Sequence, residues 1–173
     1  ADILLRARIQ TEADVAGVRH AGFQFSDVAA AFANPGPVVE RFQEAARRIS
    51  ADGADVLIDY SRPSKRGRVI FGGLEAYGKV WRTGANAATT LVTDKPLTIG
   101  SLAVPAGTYT LYTLLNKDRW KLIVNKQTGQ WGTAYDEKQD LGRVDMTMEA
   151  LPSVVETFTI KIQGGRLRLE WDQ

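Results

Sequence analysis

The sequence has no cysteine and a single histidine, His20. The first absence excludes disulfides, thiolate metal sites and a cysteine nucleophile, and it fits a reducing or an oxidising compartment equally well. The second leaves no basis for a Ser-His-acid site or a His-rich metal site; His20 reads as an ordinary surface or helix residue. No stretch approaches the roughly 18 apolar residues of a membrane span. Residues Ala1 to Arg8, broken by Asp2, Arg6 and Arg8, do not read as a signal peptide, although one could have preceded them. Net charge is only +2, too little to argue for nucleic acid or an acidic membrane as a partner. Gly72-Gly73 lacks the Lys-Ser/Thr or third glycine of a phosphate loop, and Asp136, Glu137 and Asp140 match no calcium loop. No metal and no cofactor is therefore expected.

What is present divides near residue 60. Residues 1–59 hold no lysine, tryptophan or tyrosine; their six arginines against nine acidic residues give −3. From Tyr60 onward, sixteen basic and eleven acidic residues give +5, and all four tryptophans and five tyrosines lie there. The first part reads as helical. Asn34-Pro35-Gly36-Pro37 stops one element and starts another. Val38, Phe42, Ala45, Ala46 and Ile49 then form a helical stripe, and Asp52-Gly53 ends it. Ser26 is a plausible N-cap for a shorter helix through Phe32, and Ile3 to Ile9 is compatible with a strand. Such a stripe has to be buried somewhere, on the same chain or on a second copy, so the segment is a candidate for homo-oligomer assembly.

The second part reads as strands and turns. Ala54 to Ile58, Arg68 to Phe71, Thr89 to Thr93, Thr108 to Leu114, Trp120 to Val124, Arg143 to Glu149, Thr157 to Ile162 and Leu167 to Trp171 are β-rich or alternating runs, separated by turn dipeptides. Asn116-Lys117-Asp118 predicts a hairpin. Trp120 and Trp171 fall at core positions. The expectation is a mostly β protein: an antiparallel β-sandwich or barrel-like domain over 54–173, preceded by a helical segment over 1–53.

Several motifs are familiar. Tyr60-Ser61-Arg62-Pro63, Gly67-Arg68, Ile70-Phe71-Gly72, and above all Tyr77-Gly78-Lys79-Val80-Trp81-Arg82-Thr83-Gly84-Ala85-Asn86 resemble the domain-of-unknown-function 2911 family. The likeness continues through Ala88-Thr89-Thr90, Pro105 to Tyr109, Asn125-Lys126 and Trp131-Gly132-Thr133, and covers about residues 56–172. It implies an exported bacterial β protein, periplasmic or secreted, without implying an activity. Family members often carry Glu after the motif asparagine; here Ala87 stands there. Residues 36–58 are also similar to a helix-strand unit of the aspartate/glutamate racemase superfamily, which would make the chain a chimera. The cysteine pair of such racemases is absent, so that activity is set aside.

The candidate ligand-binding residues are Arg62, Arg68, Trp81, Arg82, Asn86 and Trp131. Arg62, Lys65, Arg66 and Arg68 form either an anion site or a solvated basic loop. Trp81, Arg82 and Asn86 offer a flat face, a planar fork and a paired donor and acceptor, suited to a sugar or a small polar ligand. In the structural alternative Trp81 fills the core, Arg82 pairs with a buried acid, Gly84 makes a turn and Asn86 caps backbone groups. Trp131 is either an aromatic platform or a plug. The functional expectation is a non-catalytic module for a small polar or anionic ligand or a protein; the alternative is a hydrolase or lyase without metal.

Overall fold

The computed structural model describes residues 2–5, 43–51, 54–163 and 165–172, which fall in one compact unit. It is an antiparallel β structure. The strands are β1 (Asp2–Leu5), β2 (Gln43–Ala51), β3 (Ala54–Arg62), β4 (Lys79–Trp81), β5 (Ala85–Thr93), β6 (Leu97–Ile99), β7 (Leu102–Val104), β8 (Gly107–Leu115), β9 (Trp120–Asn125), β10 (Asp140–Glu149), β11 (Val155–Gln163) and β12 (Arg166–Asp172). The main sheet runs β11-β12-β1-β10-β9-β8-β5-β3-β2, with β4 on the far half of β8; β6 and β7 form a separate ribbon. Among the described residues no helix is long and apolar enough to cross a membrane.

Most strands follow directly from alternation. In β3, Ala54, Val56, Ile58 and Tyr60 point inward while Asp55, Leu57 and Asp59 between them are half-buried. The predicted hairpin is β8–β9, with Thr110 opposite Asn125 and Leu114 opposite Lys121. Two expectations are corrected. Gln43–Ala51, read as the second half of a helix, is a strand paired along its whole length with β3, from Gln43↔Arg62 to Ala51↔Ala54. Asp52-Gly53, read as the end of that helix, lies outside the described residues. Nine residues of paired partner strand outweigh the local helical spacing, since tertiary context overrides propensity. Asp2–Leu5 is strand β1, which takes in the start of the run Ile3 to Ile9 read as compatible with a strand; the rest of the predicted helical segment, including Ser26 to Phe32 and His20, lies outside the described residues.

The second correction is Arg68 to Phe71, which is a compact turn and not a strand. Glycines at φ +70° (Gly67) and +82° (Gly72) bracket it. Leu74 N–H donates to Val69 O (3.0 Å) and Glu75 N–H to Ile70 O (2.9 Å), winding the segment on itself. Ile70 is buried, while Val69 stands 71% exposed.

The sheet path returns on itself just past β3. Ser64 bridges Thr157, with Phe158 N–H donating to Pro63 O (2.9 Å) and Lys65 N–H to Glu156 O (2.7 Å). Tyr60 Oη accepts from Ile160 N–H at 2.9 Å in the same seam. Inside lies an aromatic cluster. Trp81 stacks on Trp171 (5.7 Å, 20°) and meets Phe158 edge-on (4.9 Å). Phe71 reaches in from the turn against Trp120 (4.5 Å) and Trp171 (6.1 Å). Such pairs each add about 0.5–1.5 kcal/mol beyond the burial of their area.

The cluster joins four distant parts of the chain, so truncating it should be costly. Trp171→Ala should lower stability by about 3–5 kcal/mol, read from denaturant unfolding; a loss under about 1 kcal/mol would contradict this core.

Candidate functional site

The site is built on the turn between β4 and β5. Trp81, in the aromatic core, donates its indole N–H to Gly84 O at 3.0 Å, closing the turn on itself. Thr83 is fully buried. Its hydroxyl shares a 2.8 Å hydrogen bond with that of Thr113, and its carbonyl accepts from Thr89 Oγ1 at 2.7 Å. Gly84 is pressed to the β3 backbone: a methyl group there would lie 2.9 Å from Ser61 O. Two non-glycine residues of the turn have left-handed backbones, Thr83 (φ +56°) and Asn86 (φ +58°). For a β-branched residue this is a true outlier, costing on the order of 1–3 kcal/mol, and such strain clusters at functional sites.

With Trp81, Thr83 and Ala85 buried, the intervening Arg82 and Asn86 are only half-buried. Arg82 Nε is itself buried and has no hydrogen-bond partner among the described residues. Over it lies the loop 126–139. Trp131 bridges Ala87, and Gly132 N–H donates to Asn86 O at 3.2 Å. A methyl group at Gly132 would sit 2.0 Å from Arg82 Cδ and 2.5 Å from Asn86 O, so only glycine permits this approach. Trp131 itself is 61% exposed.

That loop is held from below by Asn125, fully buried at the end of β9. Its amide donates to Asp136 O and Asp140 Oδ1, both at 2.9 Å, and its carbonyl oxygen accepts from Gln127 N–H at 2.8 Å. A second network surrounds Tyr135. Its hydroxyl donates to Asp140 Oδ2 (2.8 Å) and accepts from Arg143 Nη2 (3.0 Å), while Arg143 also binds Glu137 (2.6 Å). Its ring packs edge-on to Tyr112 at 4.8 Å. Burial first, then the Asp140 hydrogen bond and charge, push the Tyr135 pKa up from 10.0 to about 12. Asp136 caps the short 3₁₀ turn Glu137–Gln139.

Glu75 completes the picture. Its carboxyl is half-buried, and burial raises its pKa above the usual carboxylate value against the opposing pull of Arg82 and then Arg68. Among the described residues no group of three or more His, Cys, Asp or Glu is placed to hold a metal.

Of the six predicted residues, the fold brings Arg82, Asn86 and Trp131 together. Trp81 is 3% exposed and belongs to the core, as in the structural alternative. Arg62 lies in the seam, donating from Nε to Phe158 O (3.1 Å) and from Nη2 to Thr159 Oγ1 (2.9 Å). Arg68 donates to the carbonyls of Lys65 and Ser64 at 3.0 and 2.7 Å. Lys65 pairs with Asp172, and Arg66 N–H donates to Glu156 Oε1 at 2.7 Å. The basic run thus does much of the work of closing the sheet. Sequence reasoning missed Glu75, an isolated acid beyond Gly72-Gly73, and the anchoring role of Asn125. Only the Gly after Trp131 was a usable signal for the close approach to Arg82.

A family model described as "Protein of unknown function (DUF2911)" matches residues 43–173. It therefore takes in β2 as well as the motifs that first suggested the likeness. No curated protein and no solved structure matches the chain, and nothing in these comparisons supports the racemase-like reading of 36–58.

Two outcomes follow. Asn125→Ala should cost roughly 1–3 kcal/mol, the penalty for orphaning buried polar groups, and should raise acrylamide quenching as the Trp131 loop loosens; unchanged stability would show that the loop is held otherwise. Tyr135 titrates higher in the fold than unfolded. Its stabilising contribution is therefore complete below pH 10 and lost as pH rises from 10.0 toward about 12. Tyr135→Phe should remove that alkaline slope from the unfolding free energy. A spectrophotometric titration in which every tyrosine ionises in the normal range would contradict it.

Proposed function

The chain belongs to the DUF2911 family, and we propose that it is a non-catalytic module binding a small polar or anionic ligand at Arg82, Asn86 and Trp131. The observation that carries this reading is Arg82 Nε, buried and without a hydrogen-bond partner among the described residues. A desolvated guanidinium N–H left without an acceptor is costly, and a bound acceptor removes that cost. The strained turn beneath it and the loop pinned over it keep the group in place before any ligand arrives, which lowers the ordering cost of binding.

Binding is favoured over catalysis by the kind of groups presented. A guanidinium, an amide, a half-buried carboxyl and an exposed indole are recognition groups. The nearby hydroxyls of Thr83 and Thr113 are buried and bonded to each other, so neither is offered as a nucleophile. The same reading keeps the natural protein outside the cytoplasm, as the family resemblance implies; finding it in the cytoplasmic fraction of its host would count against that part.

Trp131 supplies the assay, because Trp81, Trp120 and Trp171 are each 3% exposed or less. A panel of small sugars and organic anions should contain members that change its emission saturably. Arg82→Gln should weaken those members at least about tenfold, the worth of one charge-assisted hydrogen bond, with Trp131→Phe serving as the blank. A panel with no saturable response, or one indifferent to Arg82→Gln in a folded variant, would remove the proposal.

A further inference from the structure

Six large hydrophobic residues are exposed among the described residues, and three of them, Val69 (71%), Leu74 (46%) and Tyr77 (42%), stand on the one turn between β3 and β4. They form a continuous surface. Leu74 N–H donates to Val69 O at 3.0 Å. A methyl group on Gly73 would lie 3.1 Å from Val69 Cβ, and one on Gly72 would lie 2.6 Å from the Tyr77 ring, so the two glycines pave the gap between the larger side chains. The turn is fixed from beneath by buried Ile70 and by Phe71 against Trp120 at 4.5 Å. Its outward side chains are therefore displayed on a rigid support. An exposed apolar patch rimmed by polar groups marks an interaction surface.

The rim shows what the patch meets. Gly78 N–H donates to Leu115 O at 2.6 Å, and Lys79 pairs with Leu115, which places the tip of the β8–β9 hairpin beside the turn. Arg68 and Lys79 on the turn and Lys117 and Arg119 on the hairpin tip are all exposed. None of the four is in an ion pair among the described residues. Against these four cations residues 68–79 and 116–119 carry two acids, Glu75 and Asp118. The small net charge of the whole chain conceals this local excess. Such a tip complements an anionic membrane surface: apolar side chains enter the boundary between headgroups and acyl chains while Lys and Arg meet the lipid phosphates. A stable protein partner would call for roughly 20–30 residues on this side, whereas a bilayer accepts a small tip and needs no matching pocket.

We infer that the 68–79 turn and the β8–β9 hairpin tip together dock the protein on a bilayer of anionic phospholipid. Val69, Leu74 and Tyr77 enter the interface, and Arg68, Lys79, Lys117 and Arg119 lie over the headgroups. The attachment is peripheral and salt-sensitive, and it is independent of ligand binding at Arg82.

The experiment floats the full chain with vesicles of phosphatidylcholine plus phosphatidylglycerol and with vesicles of phosphatidylcholine alone. The protein should float with the anionic vesicles, stay behind with the neutral ones, and be released by about 0.5 M salt. Lys117→Gln with Arg119→Gln should weaken binding about twentyfold, each cation near such a surface being worth roughly fivefold. Val69→Ser with Leu74→Ser should weaken it at least about tenfold, from the lost apolar burial. All four positions are exposed, and cooperative thermal unfolding checks that each variant is folded. No flotation with anionic vesicles, equal flotation with neutral ones, or flotation indifferent to either pair of substitutions would overturn the inference. Sedimentation velocity supplies the competing outcome: a dimer that Val69→Ser with Leu74→Ser dissolves would assign the patch to a second copy of the chain and overturn it as well.

Discussion

One buried hydrogen bond, from the Trp81 indole to the carbonyl of Gly84, sets the geometry on which the site depends. It ties the first residue of a turn to its fourth, and it does so from inside the aromatic core, where Trp81 stacks on Trp171. The turn cannot shift without disturbing that stack. Thr83 is fixed at the same time by Thr113 and Thr89, so its left-handed backbone is over-determined by its surroundings. Arg82, between two buried residues, is left with only its own side chain to move. Gly132 then fills the space above its stem. The cost of the strained turn is carried by the core, which is how a small β protein can keep a polar group poised at its surface.

The other half of the site arrives from far along the chain. Loop 126–139 has little apolar surface of its own and is held by polar groups instead. Asn125 holds it at both ends, through Gln127 and Asp136, and the Tyr135–Asp140–Arg143 network fastens its return into β10. Closure of the sheet at Ser64 and Thr157 fixes the base of the segment carrying Phe71 and Glu75. The Trp81–Asn86 turn and loop 126–139, far apart in sequence, thus converge, joined by the Gly132 N–H to Asn86 O hydrogen bond and the Ala87–Trp131 bridge.

The β character from Ala54 onward was legible from local signals: inward-outward alternation in β3, and β-branched and aromatic runs between turn residues for β8 and β9, which are buried along most of their length. The Trp81 to Asn86 run stood out for its density of polar and small residues, but sequence alone left its two readings, ligand site and structural element, side by side. Gln43–Ala51 was not, because its apolar spacing fits a helix and only the partner strand, a tertiary fact, decides otherwise. Arg68 to Phe71 failed for a related reason: a short β-branched run flanked by glycines does not reveal that both glycines take positive φ and coil it. Glu75 was invisible, as nothing about a lone acid in a loop tells which arginines will face it. Of the two roles weighed for the motif, Trp81 takes the core one, while Arg82 is half-buried with an Nε that has no hydrogen-bond partner among the described residues.

The central claim is that Arg82 is held desolvated and ready for an acceptor. Proton NMR of the arginine Nε–H groups tests it most directly, with Arg82→Lys assigning the signal. The account predicts one Nε–H resonance protected from solvent exchange in the free protein, moving downfield when a binding member of the sugar and organic-anion panel is added. An Arg82 Nε–H that exchanges as fast as those of surface arginines, and stays unmoved by every member of that panel, would contradict it.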